Sequence, residues 1–200
     1  DSLEANTTAS RNTAIGSRVL TANTTGTNNT AVGEFTLSAN TTGNYNTAVG
    51  TGAMAYYSTT YSNNTAVGRR ALHYNTNNGN TAVGADSLLN NTTGGSNTVV
   101  GTSAMDSLTT GVQNVAVGYQ AGGGQTTAVS NTLVGYLAAD YQNNLTTGSD
   151  NVVIGAYART AAATTIESVN IGRYVLGQGS TTITLGVNGN GVSIPANNST

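Results

Sequence analysis

The chain has 200 residues, among them 36 Thr, 27 Asn and 26 Gly, with 7% charged residues, one proline, no cysteine and a formal net charge of −2. Its cations are six arginines and no lysine, so no basic stripe is offered to a phosphate backbone and nucleic-acid binding is not expected. The absence of cysteine excludes disulfide stapling and thiolate metal sites; no apolar run approaches the ~20 residues of a membrane span, and no signal peptide is visible.

One phrase, Asn46-Thr47-Ala48-Val49-Gly50, recurs from end to end. Its terminal glycines fall at Gly16, Gly33, Gly50, Gly68, Gly84, Gly101, Gly118, Gly135, Gly155, Gly172 and Gly186, in steps of 17, 17, 18, 16, 17, 17, 17, 20, 17 and 14 residues. A unit this short cannot close a hydrophobic core alone and must stack on its neighbours. The spacing therefore predicts an all-β chain, a parallel β-solenoid of about 11 coils with a 17-residue period. At ~4.8 Å per coil the stack is a rod on the order of 50 Å long. Residues 1–155 read as regular repeats and 156–200 as irregular terminal coils leading into a following segment. Ser2-Leu3 occupies mid-coil positions, so the chain reads as part of something longer.

Counting from each terminal glycine, the third residue is mostly small (Val19, Thr36, Ala53, Ala71, Ser87, Ala104, Ala121, Ala138). The fourth is aliphatic (Leu20, Leu37, Met54, Leu72, Leu88, Met105) and lapses to Gly122 and Ala139. A polar turn follows, Asn-Thr-Thr-Gly at Asn23, Asn40 and Asn91, where Asn, Thr and Gly reverse the chain. This density of Gly, Asn and Thr excludes helix.

Strand geometry sends alternate side chains to opposite faces, so Thr47 and Val49 share one face and Asn46 and Ala48 the other. The column Ile15, Val32, Val49, Val67, Val83, Val100, Val117, Val134 and Ile154 never turns polar and is expected to form the coil core. The opposite column, Ala14, Ala31, Ala48, Ala66, Ala82 and Ala116, stays small and apolar. It is expected to pack against sister chains in a closed homotrimer.

Nothing in the residues points to catalysis. His73 is the only histidine and reads as surface-facing, the eight carboxylates are dispersed, and no EF-hand or P-loop occurs, so no enzyme and no cofactor are expected. One stretch stands out where an 18-residue step is followed by one of 16. It gathers Tyr56, Tyr57, Tyr61, Arg69, Arg70, His73 and Tyr74, with Tyr56 and Tyr74 at equivalent positions of consecutive coils. Aromatic rings beside arginine on a rigid scaffold suit recognition of a glycan or protein receptor. A second cluster comprises Tyr119, Tyr136 and Tyr141.

Runs such as Asn29-Thr30-Ala31-Val32-Gly33, followed by Leu37 and Asn40-Thr41-Thr42-Gly43, resemble the repeat region of bacteriophage tail fibres and related bacterial surface proteins. That region often precedes an intramolecular chaperone domain of the endosialidase type. The pattern is also similar, with a longer turn, to the head repeats of trimeric autotransporter adhesins, which implies a left-handed parallel β-roll wound as a trimer. The resemblance covers about residues 2–155 and implies an extracellular structural or adhesive fibre segment. Its place would be a virion tail fibre or a cell surface, and its partners itself and a host-surface glycan or protein, without membrane insertion. A self-assembling extracellular filament and an ice-binding solenoid, the latter built on turn threonines such as Thr24, Thr41, Thr92 and Thr109, are the alternatives.

Overall fold

The computed structural model describes residues 1–57, 59–140, 146–186 and 192–195. Eleven short strands follow the recurring phrase: β1 Thr13–Ile15, β2 Thr30–Val32, β3 Thr47–Val49, β4 Thr65–Val67, β5 Thr81–Val83, β6 Thr98–Val100, β7 Val115–Val117, β8 Thr132–Val134, β9 Val152–Ile154, β10 Val169–Ile171 and β11 Thr182–Leu185. Each pairs in parallel with the next, in sequence order, making the β-solenoid that the period predicts. A twelfth strand, β12 Val192–Pro195, lies antiparallel on β11. The irregular coil lengths leave the register intact: Thr47 pairs with Thr65 and Thr65 with Thr81 across the 18- and 16-residue steps, and Thr132 with Val152 across the 20-residue step. Length differences are absorbed in the turns.

The two strand faces are assigned the other way round from the expectation. Ala31, Ala48, Ala66, Ala82 and Ala116 are fully buried inside the coil of a single chain, and Ala14 packs against the same core at the first rung. They are core residues and not an oligomer interface. The column running from Ile15 through Val32, Val49, Val67, Val83, Val100, Val117 and Val134 to Ile154 faces outward, with Ile15, Val67, Val100 and Val117 36–60% exposed, and is not the coil core. The reason is the width of the coil. Leu20, Leu37, Met54, Leu72, Leu88 and Met105 fill the interior opposite the strands, leaving room on the strand itself for small residues, alanine in most rungs and Val99 in one.

Backbone conformation selects those large residues. All six stand in the left-handed region, with φ between 46° and 51°. A β-branched side chain is strongly disfavoured there, whereas Leu and Met are tolerated when packing compensates. The terminal glycines have φ of 126–153°, and a Cβ on Gly84 would lie 2.4 Å from the carbonyl oxygen of Gly101 one rung on, so no other residue fits. Where the Leu/Met column lapses to Gly122, the strand column enlarges to Leu133, whose Cδ1 sits 2.6 Å from the place a Gly122 Cβ would take. Volume lost on one wall is replaced from the other.

The leading asparagines of the phrase form the second structural column. Asn29, Asn46, Asn64, Asn80, Asn97, Asn114, Asn131 and Asn151 are fully buried. Each backbone N–H donates to the side-chain oxygen of the preceding Asn, for example Asn97 N to Asn80 Oδ1 at 3.0 Å and Asn114 N to Asn97 Oδ1 at 3.0 Å. Most of their side-chain amides also donate to a turn carbonyl of the following coil, as Asn97 Nδ2 does to Gly111 O at 2.9 Å. The ladder starts at Asn12 and ends at Ser168, whose hydroxyl donates to Asn151 at 2.7 Å. A shorter ladder joins the turn asparagines, Asn40 Nδ2 to Asn23 Oδ1 at 2.8 Å and Asn91 Nδ2 to Asn75 Oδ1 at 2.9 Å.

Two outcomes follow. Asn97→Leu strands the Asn114 N–H and the Gly111 carbonyl, while Asn80 Oδ1 keeps the backbone N–H of residue 97; with each unpaired buried group costing about 1–3 kcal/mol, urea unfolding should report a loss of at least ~2 kcal/mol, while the exposed Asn6→Leu changes stability by less than ~0.5 kcal/mol. Gly122→Leu should destabilise by about 1–3 kcal/mol through overpacking and Leu133→Ala by about 2–5 kcal/mol through a cavity. Combined, the two substitutions should cost clearly less than their sum, which a double-mutant cycle measures.

Candidate functional site

The aromatic and arginine stretch lies on the turns that follow β3 and β4, outside the strands. The ring of Tyr56 meets His73 edge-on at 4.9 Å between centroids, His73 meets Tyr74 at 4.7 Å, and Tyr74 stands 5.9 Å from Tyr56 and 6.1 Å from Tyr57. These four rings make one contiguous group across two rungs. His73, expected at the surface, is only 9% exposed: its Nδ1–H donates to the Gly52 carbonyl at 2.7 Å, and its carbonyl accepts from Tyr56 N at 3.0 Å. It braces the cluster instead of facing solvent.

Arg69 and Arg70 come from consecutive positions and close on the same carboxylate one rung on. Arg69 Nη2 pairs with Asp86 Oδ2, and Arg70 Nε donates to Asp86 Oδ1 at 2.8 Å. Tyr61 stands apart from the ring group; its backbone carbonyl accepts Asn46 Nδ2 at 2.8 Å, which places it in the scaffold.

Beside the rings a surface hollow of about 660 Å³ spans four coils. Tyr56, Arg69, Arg70 and His73 line it, together with two residues that sequence reasoning missed, Arg18 and Phe35. The guanidinium carbon of Arg18 lies 4.8 Å from the Phe35 ring centroid, a cation–π contact. The signal was in the register. Arg18, Phe35, Gly52 and Arg70 each stand two residues after a terminal glycine and so occupy one column, all with positive φ. Gly52 interrupts that column of long side chains, and its missing side chain opens the hollow.

On the far half of the rod Tyr119 and Tyr136 stack at 5.2 Å, as the second cluster requires, while Tyr141 lies outside the described residues. The row continues instead through Tyr157, 5.3 Å from Tyr136, to Tyr174, stacked on Tyr157 at 4.6 Å.

Among the described residues no group of three His, Cys, Asp or Glu is placed to hold a metal ion, and no helix is long and apolar enough to cross a membrane. The turn threonines Thr24, Thr41, Thr92 and Thr109 donate their hydroxyls to carbonyls one rung on, at 2.6–3.1 Å. The chain matches no family model, and neither curated proteins nor solved structures provide a match.

Beyond Asp86 the carboxylate side of the patch continues with Asp106 and Asp140. Burial raises the Asp106 carboxyl above its ordinary value of 3.8, against a 3.1 Å hydrogen bond from Ser107, with the negative charge of Asp86 adding to the rise. Burial likewise raises Asp140, with Asp106 adding to it. A raised carboxyl pKa means that the fold disfavours the ionised form. The contribution to stability is therefore present below the unfolded-state value and lost as pH rises through the folded one. Asp106→Asn and Asp140→Asn should raise the melting temperature at pH 7, with the gain shrinking toward pH 3; an equal gain at both pH values would contradict this origin.

Proposed function

We propose that this chain is an extracellular structural and adhesive fibre segment. Its copies associate laterally as a homotrimer, in the manner of a phage tail fibre or a bacterial surface adhesin, and the aromatic and arginine patch faces a glycan or protein on a host surface. The observation that carries the reading is the outward strand face. Its two columns are Thr13, Thr30, Thr47, Thr65, Thr81, Thr98, Val115, Thr132, Val152, Val169 and Ile183, and Ile15, Val32, Val49, Val67, Val83, Val100, Val117, Val134, Ile154, Ile171 and Leu185. Across eleven rungs neither column contains a charge.

A solvated face has no reason to avoid Lys, Glu and Asp throughout, and a patch of this extent exceeds the ~300–600 Å² that monomers ordinarily expose. Taken as on the order of 50 Å by 15 Å, from 4.8 Å per rung and about five residues of strand and flank, it approaches the ~800 Å² per partner of a standard interface. A second copy is the occupant that fits, because an uncharged, regularly spaced face is complementary to itself. Closed rotation about an axis parallel to the stack keeps every rung in register with its counterparts. The antiparallel β12 on the last parallel strand favours lateral association over end-to-end growth into a filament, since the β11 edge is already taken. The turn threonines on which the ice-binding alternative rests spend their hydroxyls on carbonyls along the stack; the free threonine rank is the outward strand column itself, Thr30, Thr47, Thr65, Thr81 and Thr98, which a sister chain covers in this reading.

Val83→Glu with Val117→Glu places two charges on the proposed contact, at several kcal/mol each if they are buried. Native mass spectrometry or light scattering should show a trimer for the unaltered chain and monomer for the double variant, with the β-sheet circular dichroism kept. A wild-type monomer at tens of micromolar, or a variant that keeps its mass, would refute the association.

A further inference from the structure

We propose that the hollow beside Gly52 binds a sugar ring carrying an anionic group, carboxylate or phosphate, at the surface of the receptor. This rests on the attachment reading above and names the chemistry of its contact. Three of the six arginines in a chain of net charge −2 line this one concavity, Arg18, Arg69 and Arg70. Against them stands the single carboxylate of Asp86, which Arg69 and Arg70 share. Arg18 forms no ion pair among the described residues and lies over the Phe35 ring. Glu34, exposed on the neighbouring column, does not line the hollow. The concavity is thus in cationic excess, and guanidinium forks match carboxylate and phosphate geometry.

Its walls supply the rest of a sugar site. Phe35 and Tyr56 present ring surface, 36% and 56% exposed, for the apolar C–H face of a pyranose. Thr21 and Thr51 also belong to the lining; the Thr21 hydroxyl donates to the Ser38 carbonyl at 3.2 Å and can still accept from a sugar hydroxyl. A volume of about 660 Å³ falls in the range of small-ligand sites. None of the lining residues belongs to a strand, so a trimer formed through the valine face leaves the hollow unclaimed by that interface. The scaffold is also preorganised: His73 is held by the Gly52 carbonyl and by the rings of Tyr56 and Tyr74, which fixes one wall before any ligand arrives.

Titration calorimetry on the full chain with 3′-sialyllactose, glucose 6-phosphate and lactose tests the proposal. Binding of the sialylated or the phosphorylated sugar, at least tenfold tighter than lactose, is expected, and the two anionic probes distinguish carboxylate from phosphate. Arg18→Ala should weaken the anionic sugar at least tenfold and leave lactose unchanged. Gly52→Leu should abolish binding by filling the hollow; Leu137 holds the equivalent position with φ 53°, so a thermal melt should show this variant folded. Equal affinity for lactose, no binding of either anionic sugar, or anionic binding that survives both substitutions would overturn the proposal. Adhesion of labelled protein to bacterial cells, measured in parallel, separates the two claims: adhesion that persists without sugar binding overturns this site alone, and sugar binding without adhesion to any cell overturns the attachment reading alone.

Discussion

Stacked amides hold this molecule in register. In a coil whose apolar content is a few methyl groups and one Leu or Met, the buried asparagine column from Asn29 to Asn151 ties each backbone N–H to the side chain of the rung before it, and most of its side-chain amides to a turn carbonyl of the next coil. A buried amide left unpaired is costly, so every rung is obliged to sit where its predecessor's oxygen is. A one-residue slip would turn every asparagine out of the coil and leave its partners bare. That constraint explains why steps of 16, 18 and 20 residues coexist with unbroken strand pairing: turns can lengthen or shorten, but the ladder cannot shift.

The narrowness of the coil sets everything else. With Leu and Met in left-handed backbone conformations filling one wall, the strand wall carries alanine in most rungs and nothing larger than Val99 where that wall is intact, and where a glycine opens the first wall a leucine closes from the second. The larger β-branched residues of the phrase are excluded from this space and stand outward. An apolar rank created by exclusion from the core becomes the natural seat for a sister chain, which joins the packing of one coil to the proposed assembly of the fibre.

The surface is then a matter of decorating a periodic scaffold. Turn residues repeat in columns about one strand spacing apart, so a run of compatible side chains becomes a row on the surface. Tyr119 and Tyr136, one residue after their glycines, and Tyr157 and Tyr174, two after theirs, join two such columns into one row of rings. The hollow arises from the opposite device, a missing side chain at Gly52 in a column otherwise held by Arg18, Phe35 and Arg70. Both devices lie outside the asparagine ladder and the coil interior.

The repeat, the parallel stacking, the pairing register and the sharing of faces by Thr47 with Val49 and Asn46 with Ala48 were all legible in the residues, because each follows from a fixed spacing and from strand alternation. The grouping of Tyr56, Tyr57, Tyr74, Arg69, Arg70 and His73 was legible because Tyr56 and Tyr74 hold equivalent positions on consecutive coils and the others stand near them in those two coils. Which face turns inward was not. Hydrophobicity favours the valine column for a core, and only the closed coil, with Leu20 and its equivalents filling the space and the asparagines of the alanine face bonded rung to rung, turns the alanine face inward. Arg18 and Phe35 joined the site, and His73 left the surface, for a related reason: contacts between coils depend on how far each side chain reaches across the stack, and a linear period records position but not reach.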